Sequence, residues 1–527
     1  MAPASPKNTK KPDHDHHWTI LLVVIIAVLA TTTLMNLDHL KDDLHKIDGT
    51  INTDDGDEDI NWDRYNITNL ELSQSVEITK PGIYHLTGAL SDGAVKINVG
   101  SEGVAKLILD QVSITNSAGP AIACYAADDL VIETIGENFL EDGADYAADL
   151  DTDVKGVIYS KSDLTFTGDG KLVIKANHED GIVSKDDLKF VSGDYQITAK
   201  DDAIRGKDSV YIMAGNFTLT AGADAIKSTN ETDHQKGFVL IKDGYFDLTA
   251  TAKGIKAINS ILIYGGDFNI KTRDDAIHSN NYLGISDGNF QITSGDDGFH
   301  ADSELIIDGG NINIAQSYEG LEAQKITINH GKITIAALDD GINAGGGKDG
   351  SANNRPGAGA FDTDENCAIT INGGDIAINA SGDGIDSNGT LYFNGGSIIV
   401  DGPTSNNNGA LDAGLGAYIF GGEVVAVGAN GMAVALSSDS PIFNLSIYFS
   451  ATHPAGTSLT IKDSVGQTII SHTTAKAFSH ATIGSDRFTL GETYTIYIDG
   501  SIYQSFTISG TTTTLGQNPG DFRDFRR

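Results

Sequence analysis

A short acidic motif returns along the middle of this chain at an almost fixed interval, and that interval constrains the fold more than any other feature. The copies run Glu179-Asp180-Gly181-Ile182, Asp201-Asp202-Ala203-Ile204, Ala223-Asp224-Ala225-Ile226, Lys253-Gly254-Ile255, Asp274-Asp275-Ala276-Ile277 and Asp296-Asp297-Gly298-Phe299. Tyr318-Glu319-Gly320-Leu321, Asp339-Asp340-Gly341-Ile342 and Gly382-Asp383-Gly384-Ile385 continue the series. From Asp180 to Asp202 to Asp224 the step is 22 residues, and Lys253, Asp275, Asp297 and Glu319 repeat it. A period of this size marks a solenoid, in which each repeat buries its apolar face only against its neighbours.

One repeat, Asp180 to Lys200, contains three short stretches of apolar/polar alternation at Gly181–Val183, Leu188–Phe190 and Tyr195–Thr198. Polar bends separate them, with a glycine turn at Gly193 that returns as Gly215, Gly244, Gly266 and Gly288. A bend that needs positive φ once per coil explains the glycine. Three strands and three bends in about 22 residues predict an all-β, right-handed, single-stranded parallel β-helix. Four-stranded propeller blades would need nearly twice the period.

Two insertions break the beat, one of about seven residues at Asn230–Lys236 and one Gly-rich, at Ala344–Asp364. Insertions on solenoids emerge as loops on one face, often the binding face. Residues 66–110 read as an N-terminal cap. After about residue 437 the beat stops, and ordinary alternation predicts a small antiparallel β module over 438–511 that closes the C-terminal end. The resulting layout is 1–35, an N-terminal signal; 36–62, an acidic linker; 63–437, the β-helix with its cap; 438–511, the module; and 512–527, a disordered basic tail.

The N-terminal signal rests on Lys7, Lys10 and Lys11 followed by the apolar run Trp18–Ala30. That pattern is a positive n-region before a hydrophobic segment, either an uncleaved membrane anchor or a cleaved signal peptide. Both place the remainder outside the cell. Cys124 and Cys367 occupy different places in the repeat and read as two buried thiols, not a disulfide. A formal net charge of -37 argues against a nucleic-acid partner and for divalent cations or solubility.

Stacking the motifs at about 4.8 Å per coil brings equivalent carboxylates into a column. Two unit charges at that spacing repel by about 1 kcal/mol in water and about 3–4 kcal/mol at an effective dielectric of 20. Ca²⁺ is the natural compensation, because it takes six to eight oxygens in irregular geometry. The candidate ligands are Asp180, Asp201, Asp202 and Asp224, then Asp274, Asp275, Asp296 and Asp297, then Asp340 and Asp383.

A second column follows from strand alternation, since the residue after the inward Ile must point out. It reads Val183, Arg205, Lys227, Lys256, His278, His300, Glu322, Asn343, Asp386 and Asp412. Arg205, Lys227, Lys256, His278 and His300, with Lys207 nearby, are the candidate ligand-binding residues, a stripe about 19 Å long over four coil intervals. The Gly or Ala that precedes each Ile is expected to leave a flat, open floor beside them. A linear polyanion fits such a stripe; the competing reading is that the cations only neutralise the acidic column. No regular aromatic stripe suited to a crystalline cellulose face stands out.

In these motifs the chain resembles a family of secreted bacterial carbohydrate-binding β-helix proteins with a pectate-lyase-like fold. The resemblance rests on Lys80-Pro-Gly-Ile-Tyr-His-Leu-Thr-Gly88, Tyr159-Ser-Lys-Ser-Asp-Leu-Thr165, Asp180-Gly-Ile-Val-Ser-Lys-Asp-Asp-Leu188, Asp202-Ala-Ile-Arg-Gly-Lys-Asp208 and Gly341-Ile-Asn-Ala-Gly-Gly-Gly347. It spans roughly residues 60–510. It implies Ca²⁺ as a cofactor and cellulose or a polygalacturonate-like acidic polysaccharide as partner. Lys253 stands where the family's pattern has Asp, which puts a Ca²⁺ site on that coil in doubt. Non-catalytic polysaccharide binding is the leading reading. The alternatives are a Ca²⁺-dependent lyase, with Lys185, Arg205 and Lys207 near the metal as bases, and a cell-surface adhesin.

Overall fold

The computed structural model describes residues 60–345 and 363–517. The N-terminal signal, nearly all of the acidic linker, most of the Gly-rich insertion and the last ten residues lie outside the described residues. Among the described residues no helix is long and apolar enough to cross a membrane.

The expected fold class is borne out: coil after coil stacks into a parallel β-solenoid with three faces. On the first face the register runs Ile158, Ile182, Ile204, Ile226, Ile255, Ile277, Phe299, Leu321, Ile342, Ile385, Leu411, each residue opposite the next. On the second it runs Leu164, Leu188, Val210, Val239, Ile261, Leu283 and onward. The third carries Leu172, Tyr195, Phe217, Phe246, Phe268, Phe290 and then isoleucines. These columns meet in one continuous apolar core.

The third face holds a regular aromatic ladder, and it is inside. Successive rings of Tyr195, Phe217, Phe246, Phe268 and Phe290 stack with centroids 5.0, 5.1, 4.6 and 4.6 Å apart. The sequence reading looked for an aromatic stripe on the outside and found none. The in-register parallel pairing explains the difference: it places like side chains one coil apart, at stacking distance, on whichever side they face. The turn glycines before this face take positive φ, as at Gly215 (φ 137), where the expected conformational need is met.

Residues 66–110, read from sequence as a cap, contain parallel coils of their own. Ile67–Leu72 pairs in parallel with Gly82–Leu90, and Val76–Ile78 with Val95–Asn98, which in turn joins Ile122–Ala126. At the other end the last solenoid strand, Glu423–Gly428, pairs antiparallel with Phe478–Ser485. That strand pairs antiparallel with Asn444–His453, and a separate four-stranded antiparallel sheet packs a second apolar core beside them. Covering the final coil in this way removes an open sheet edge. Thr512–Leu515 forms a strand parallel to Asn444–His453, where the sequence reading had begun a disordered tail. Cys124 and Cys367 are both free and buried.

The aromatic ladder yields a test. Phe246→Ala opens a fully buried site between two stacked rings, and should cost about 3–5 kcal/mol in chemical denaturation. Phe246→Leu should cost much less. Equal, small losses in both would show that the ladder contributes no more than generic packing.

Candidate functional site

The recurring aspartates sit at the corner that opens the first face. There Gly181 N–H reaches forward to Asp202 O at 2.9 Å, and Ala203 N–H to Asp224 O at 3.1 Å. The amide of each Asp is thereby turned back toward the preceding coil, where a side chain meets it. Asp202 N–H donates to Asp180 Oδ1 at 3.0 Å, Asp224 N–H to Asp202 Oδ1 at 3.0 Å, and Lys253 N–H to Asp224 Oδ1 at 2.9 Å. The same bond joins Asp297 to Asp275 and Asp383 to Asp340. One oxygen of each such carboxylate is therefore committed to the backbone.

The second oxygen faces the column that begins at Val183. Arg205 lies 2.6 Å from Asp180 Oδ2, and Lys227 lies 3.3 Å from Asp202 Oδ2 and 2.9 Å from Asp224 Oδ2. Burial pushes Asp180 up to about 7 even against the guanidinium, and raises Asp202 in the same way. Lys253, standing in place of an Asp, pairs with both Asp274 and Asp275 at 2.9 Å. Burial alone would raise Asp275, but His278 and Lys253 outweigh it and hold the carboxyl well below the usual range. Where Lys253 interrupts the ladder, Asp275 N–H is met by its own neighbour, Asp274 Oδ1, at 3.0 Å.

Lys256 is different. The position three residues before it carries Lys253 instead of an Asp, and Asp224 is already taken by Lys227. Among the described residues no carboxylate lies within ion-pair distance of Lys256. The single Asp-to-Lys departure in the motif thus releases an ammonium two coils along from Arg205, in register with Lys227 and His278.

Two clefts adjoin across this face. One, of about 330 Å³, is lined by Lys155, Lys185, Arg205, Lys207, Lys227 and Asp153, among others. The other, of about 640 Å³, is lined by Lys227, Lys253, Lys256, Asp274, His278 and Asp302, among others. Lys227 belongs to both. The insertion at 230–236 folds over the neighbouring corner, where Lys236 pairs with Asp208 and Asn230 Nδ2 donates to Asp208 Oδ1 at 2.6 Å. Sequence reasoning missed Lys155, which pairs with Glu179 one coil later at 2.7 Å; the available signal was its place at the head of the degraded repeat Lys155-Gly-Val-Ile158.

Two expectations need correction. His278 and His300 are 4% and 0% exposed, so they belong to the interior of the corner and not to an open stripe. Asn280 and Asp302 lie over their outer nitrogens, at 3.1 and 3.2 Å. The Gly or Ala before each Ile is buried as well, and forms no open floor. A Cβ on Gly181 would stand 2.5 Å from Ala203 O and 2.6 Å from Ile197 Cγ2, so close approach between faces dictates the small residue.

Beyond His300 the second column turns acidic, with Glu322, Asn343, Asp386 and Asp412 in register. No lysine or arginine among the described residues pairs with Asp339, Asp340, Asp383, Asp386 or Asp412. Burial, then neighbouring acids, pushes Asp340 well above the usual carboxylate range, Asp383 up to about 7 and Asp386 up to about 6. Gly382 packs directly against two of these carboxylates: a Cβ would stand 2.3 Å from both Asp339 Oδ1 and Asp340 Oδ1, too close for any side chain. Carboxylate oxygens gathered in this way suit an oxygen-loving dication. The Asp274–Asp275 pair fits one less well, because the Lys253 ammonium already lies between the two carboxylates.

The ladder makes a prediction that separates hydrogen bonding from charge. Asp202→Ala leaves the buried Asp224 amide without an acceptor, which costs about 1–3 kcal/mol, whereas Asp202→Asn keeps the acceptor. Denaturation midpoints should fall clearly more for the Ala variant, and equal losses would mean that the charge is what matters.

With this geometry in hand, the relationships of the chain are informative. The sequence profile of a family described as "Carbohydrate-binding domain-containing protein" matches residues 73–320 and 261–350, together more than half of the 527 residues. A carbohydrate-binding domain-containing protein of Acetivibrio thermocellus is 36% identical over 139 residues, 25% of this chain and 49% of that protein. The chain therefore spans about half the length of this relative. The structure of the polysaccharide lyase-like protein from C. thermocellum, a gadolinium derivative, aligns at TM-score 0.38 and 30% identity over 45% of this chain and 95% of that one. The chain belongs to the family of carbohydrate-binding domain-containing proteins.

Proposed function

We propose that this chain is an extracellular, non-catalytic binder of acidic polysaccharide of the polygalacturonate type, and that Ca²⁺ assists the binding. The observation that carries the reading is the pair of adjoining clefts, which gather Lys155, Lys185, Arg205, Lys207, Lys227 and Lys256 on a chain of formal net charge -37. A linear polyanion crossing successive coils meets a cation about every 4.8 Å. Lys256 supplies the ammonium with no carboxylate partner among the described residues, so it has the most to gain from a uronate.

Ca²⁺ belongs in this reading at Asp339, Asp340, Asp383, Asp386 and Asp412, where carboxylates cluster without a cation of the protein's own. It would relieve their mutual repulsion there and offer positive charge to a bound uronate. A non-catalytic role is supported by the pairing of the side chains a lyase would use as base. Lys185 lies 3.2 Å from Asp153, Arg205 2.6 Å from Asp180 and Lys207 3.7 Å from Asp208. In this reading the segment around Trp18–Ala30 directs export.

Pull-down on polygalacturonate in the presence of Ca²⁺ should retain the chain, and Lys256→Ala should weaken retention about tenfold, with a smaller salt dependence. No unsaturated uronide should appear in the ultraviolet. Product formation would overturn the non-catalytic reading, and equal retention on neutral glucan would overturn the acidic one.

The acidic stretch predicts a pH signature. Asp383 and Asp386 hold protons in the folded chain up to about 7 and about 6, while an unfolded Asp releases its proton near about 4. The folded state therefore binds more protons between about pH 4 and pH 7, and stability falls as pH rises through that window. In chelator, Tm should drop by several degrees between about pH 5 and pH 7.5, and added Ca²⁺ should restore it at the higher pH only. A Ca²⁺ effect of equal size at both values, or none, would remove the metal from these carboxylates.

A further inference from the structure

The two imidazoles that left the glycan-facing stripe lie in a setting of their own. His278 and His300 stack with ring centroids 4.5 Å apart and planes 10° from parallel. His278 Nδ1 is 2.7 Å from Asp275 Oδ2. His300 Nδ1 is 3.0 Å from Asp297 Oδ2 and 2.9 Å from Glu322 Oε2. One ring nitrogen carries at most one proton, and sharing it between two carboxylates leaves each with no more than a weak three-centre bond. Glu322, 4% exposed, accordingly has an Oε2 that accepts no hydrogen bond. A buried carboxylate oxygen left in that state is destabilising, because it has given up water without gaining a donor.

A cation in place of the proton resolves the conflict, because it binds the nitrogen and both oxygens together. The ligating atoms of Asp297, His300 and Glu322 all lie within 4.8 Å of one another, and those of Asp275, His278 and His300 form a second such group around the shared ring. An imidazole nitrogen beside carboxylates selects a borderline first-row dication such as Zn²⁺ over Ca²⁺, which takes oxygen ligands. The other nitrogen of the ring is also prepared: Nε2 faces Asp302 Oδ1 at 3.2 Å, the carboxylate–histidine pairing that orients metal-bound imidazoles. His278 and Asp302 line the 640 Å³ cleft, which gives a route from solvent.

We propose that Asp297, His300 and Glu322 form a Zn²⁺-type transition-metal site, with Asp302 orienting His300 and the Asp275–His278 pair beside it. The site is separate from the acidic stretch assigned to Ca²⁺ and does not rest on the glycan-binding reading. Its role is to lock the coils that carry Phe299 and Leu321 at the point where the outward column changes from cationic to acidic.

The test uses the full chain with His14, His16 and His17 replaced by Ala, so that the histidine-rich segment near the N-terminus contributes nothing. After chelation the protein is equilibrated with Zn²⁺ in a large excess of Ca²⁺, dialysed, and its metal counted by mass spectrometry. About one Zn²⁺ per chain should remain. Glu322→Gln, which preserves shape, and His300→Gln should each weaken retention at least about 100-fold. Co²⁺ in place of Zn²⁺ should give visible absorption of a nitrogen-ligated, low-coordinate ion, lost in the same variants. Failure of the chain with Asp297, His300 and Glu322 intact to retain Zn²⁺ against Ca²⁺, unchanged retention in Glu322→Gln, or a Co²⁺ spectrum of all-oxygen ligation would each overturn the proposal. The first and third readouts need no variant to fold.

Discussion

The bond from a backbone amide to the carboxylate one coil earlier organises this molecule. A three-faced coil must turn a corner, and at that corner the forward bond from Gly181 to Asp202 O leaves the next Asp amide pointing backward. A carboxylate in the preceding coil accepts it, and the solution is repeated because the problem is repeated. Each repetition leaves one spare oxygen facing the outward column. Much of the chemistry of this face follows from how that oxygen is neutralised: by Arg205, by Lys227, by Lys253 and His278, or by His300.

That arrangement explains how much was legible beforehand. A step of 22 residues fixes the coil, and strand alternation then puts Arg205 through Asp412 in one register column, as the pairing shows. Which of those side chains meets solvent was not legible, because it depends on what lies across them. Asn280 and Asp302 sit two residues beyond the histidines, and nothing in their spacing announces that they fold back. The pairing of Lys227 with two aspartates from successive coils is likewise a matter of side-chain reach. The interior aromatic ladder went unread, because a ring at the same place in successive coils becomes a stack only once the coils pair in register.

Lys253 shows how one substitution redistributes charge in a stacked array. It keeps its backbone place in the ladder by donating to Asp224, yet it has no carboxylate to offer the next coil. Asp274 takes over that acceptor role. The displaced positive charge settles on Asp274 and Asp275, and Lys256 is left without an ion-pair partner among the described residues. A position that looks like a lost metal ligand is, in the folded chain, the reason the Lys256 ammonium has no carboxylate within ion-pair distance among the described residues.

The carboxylate–amide bond also sets the unit in which such a chain can be lengthened or shortened. Every coil offers its successor the same acceptor at the same offset, so a whole coil can be added or removed without any neighbour meeting an unfamiliar surface. A partial coil would strand an amide at the corner and throw the Phe column out of stack. The seven-residue insertion before Gly237 and the longer one after Ala344 respect this rule, since both leave at the same corner and the chain re-enters in register. The reach of the outer face is therefore quantised in steps of about 4.8 Å, a ruler on which inheritance can move only by whole divisions.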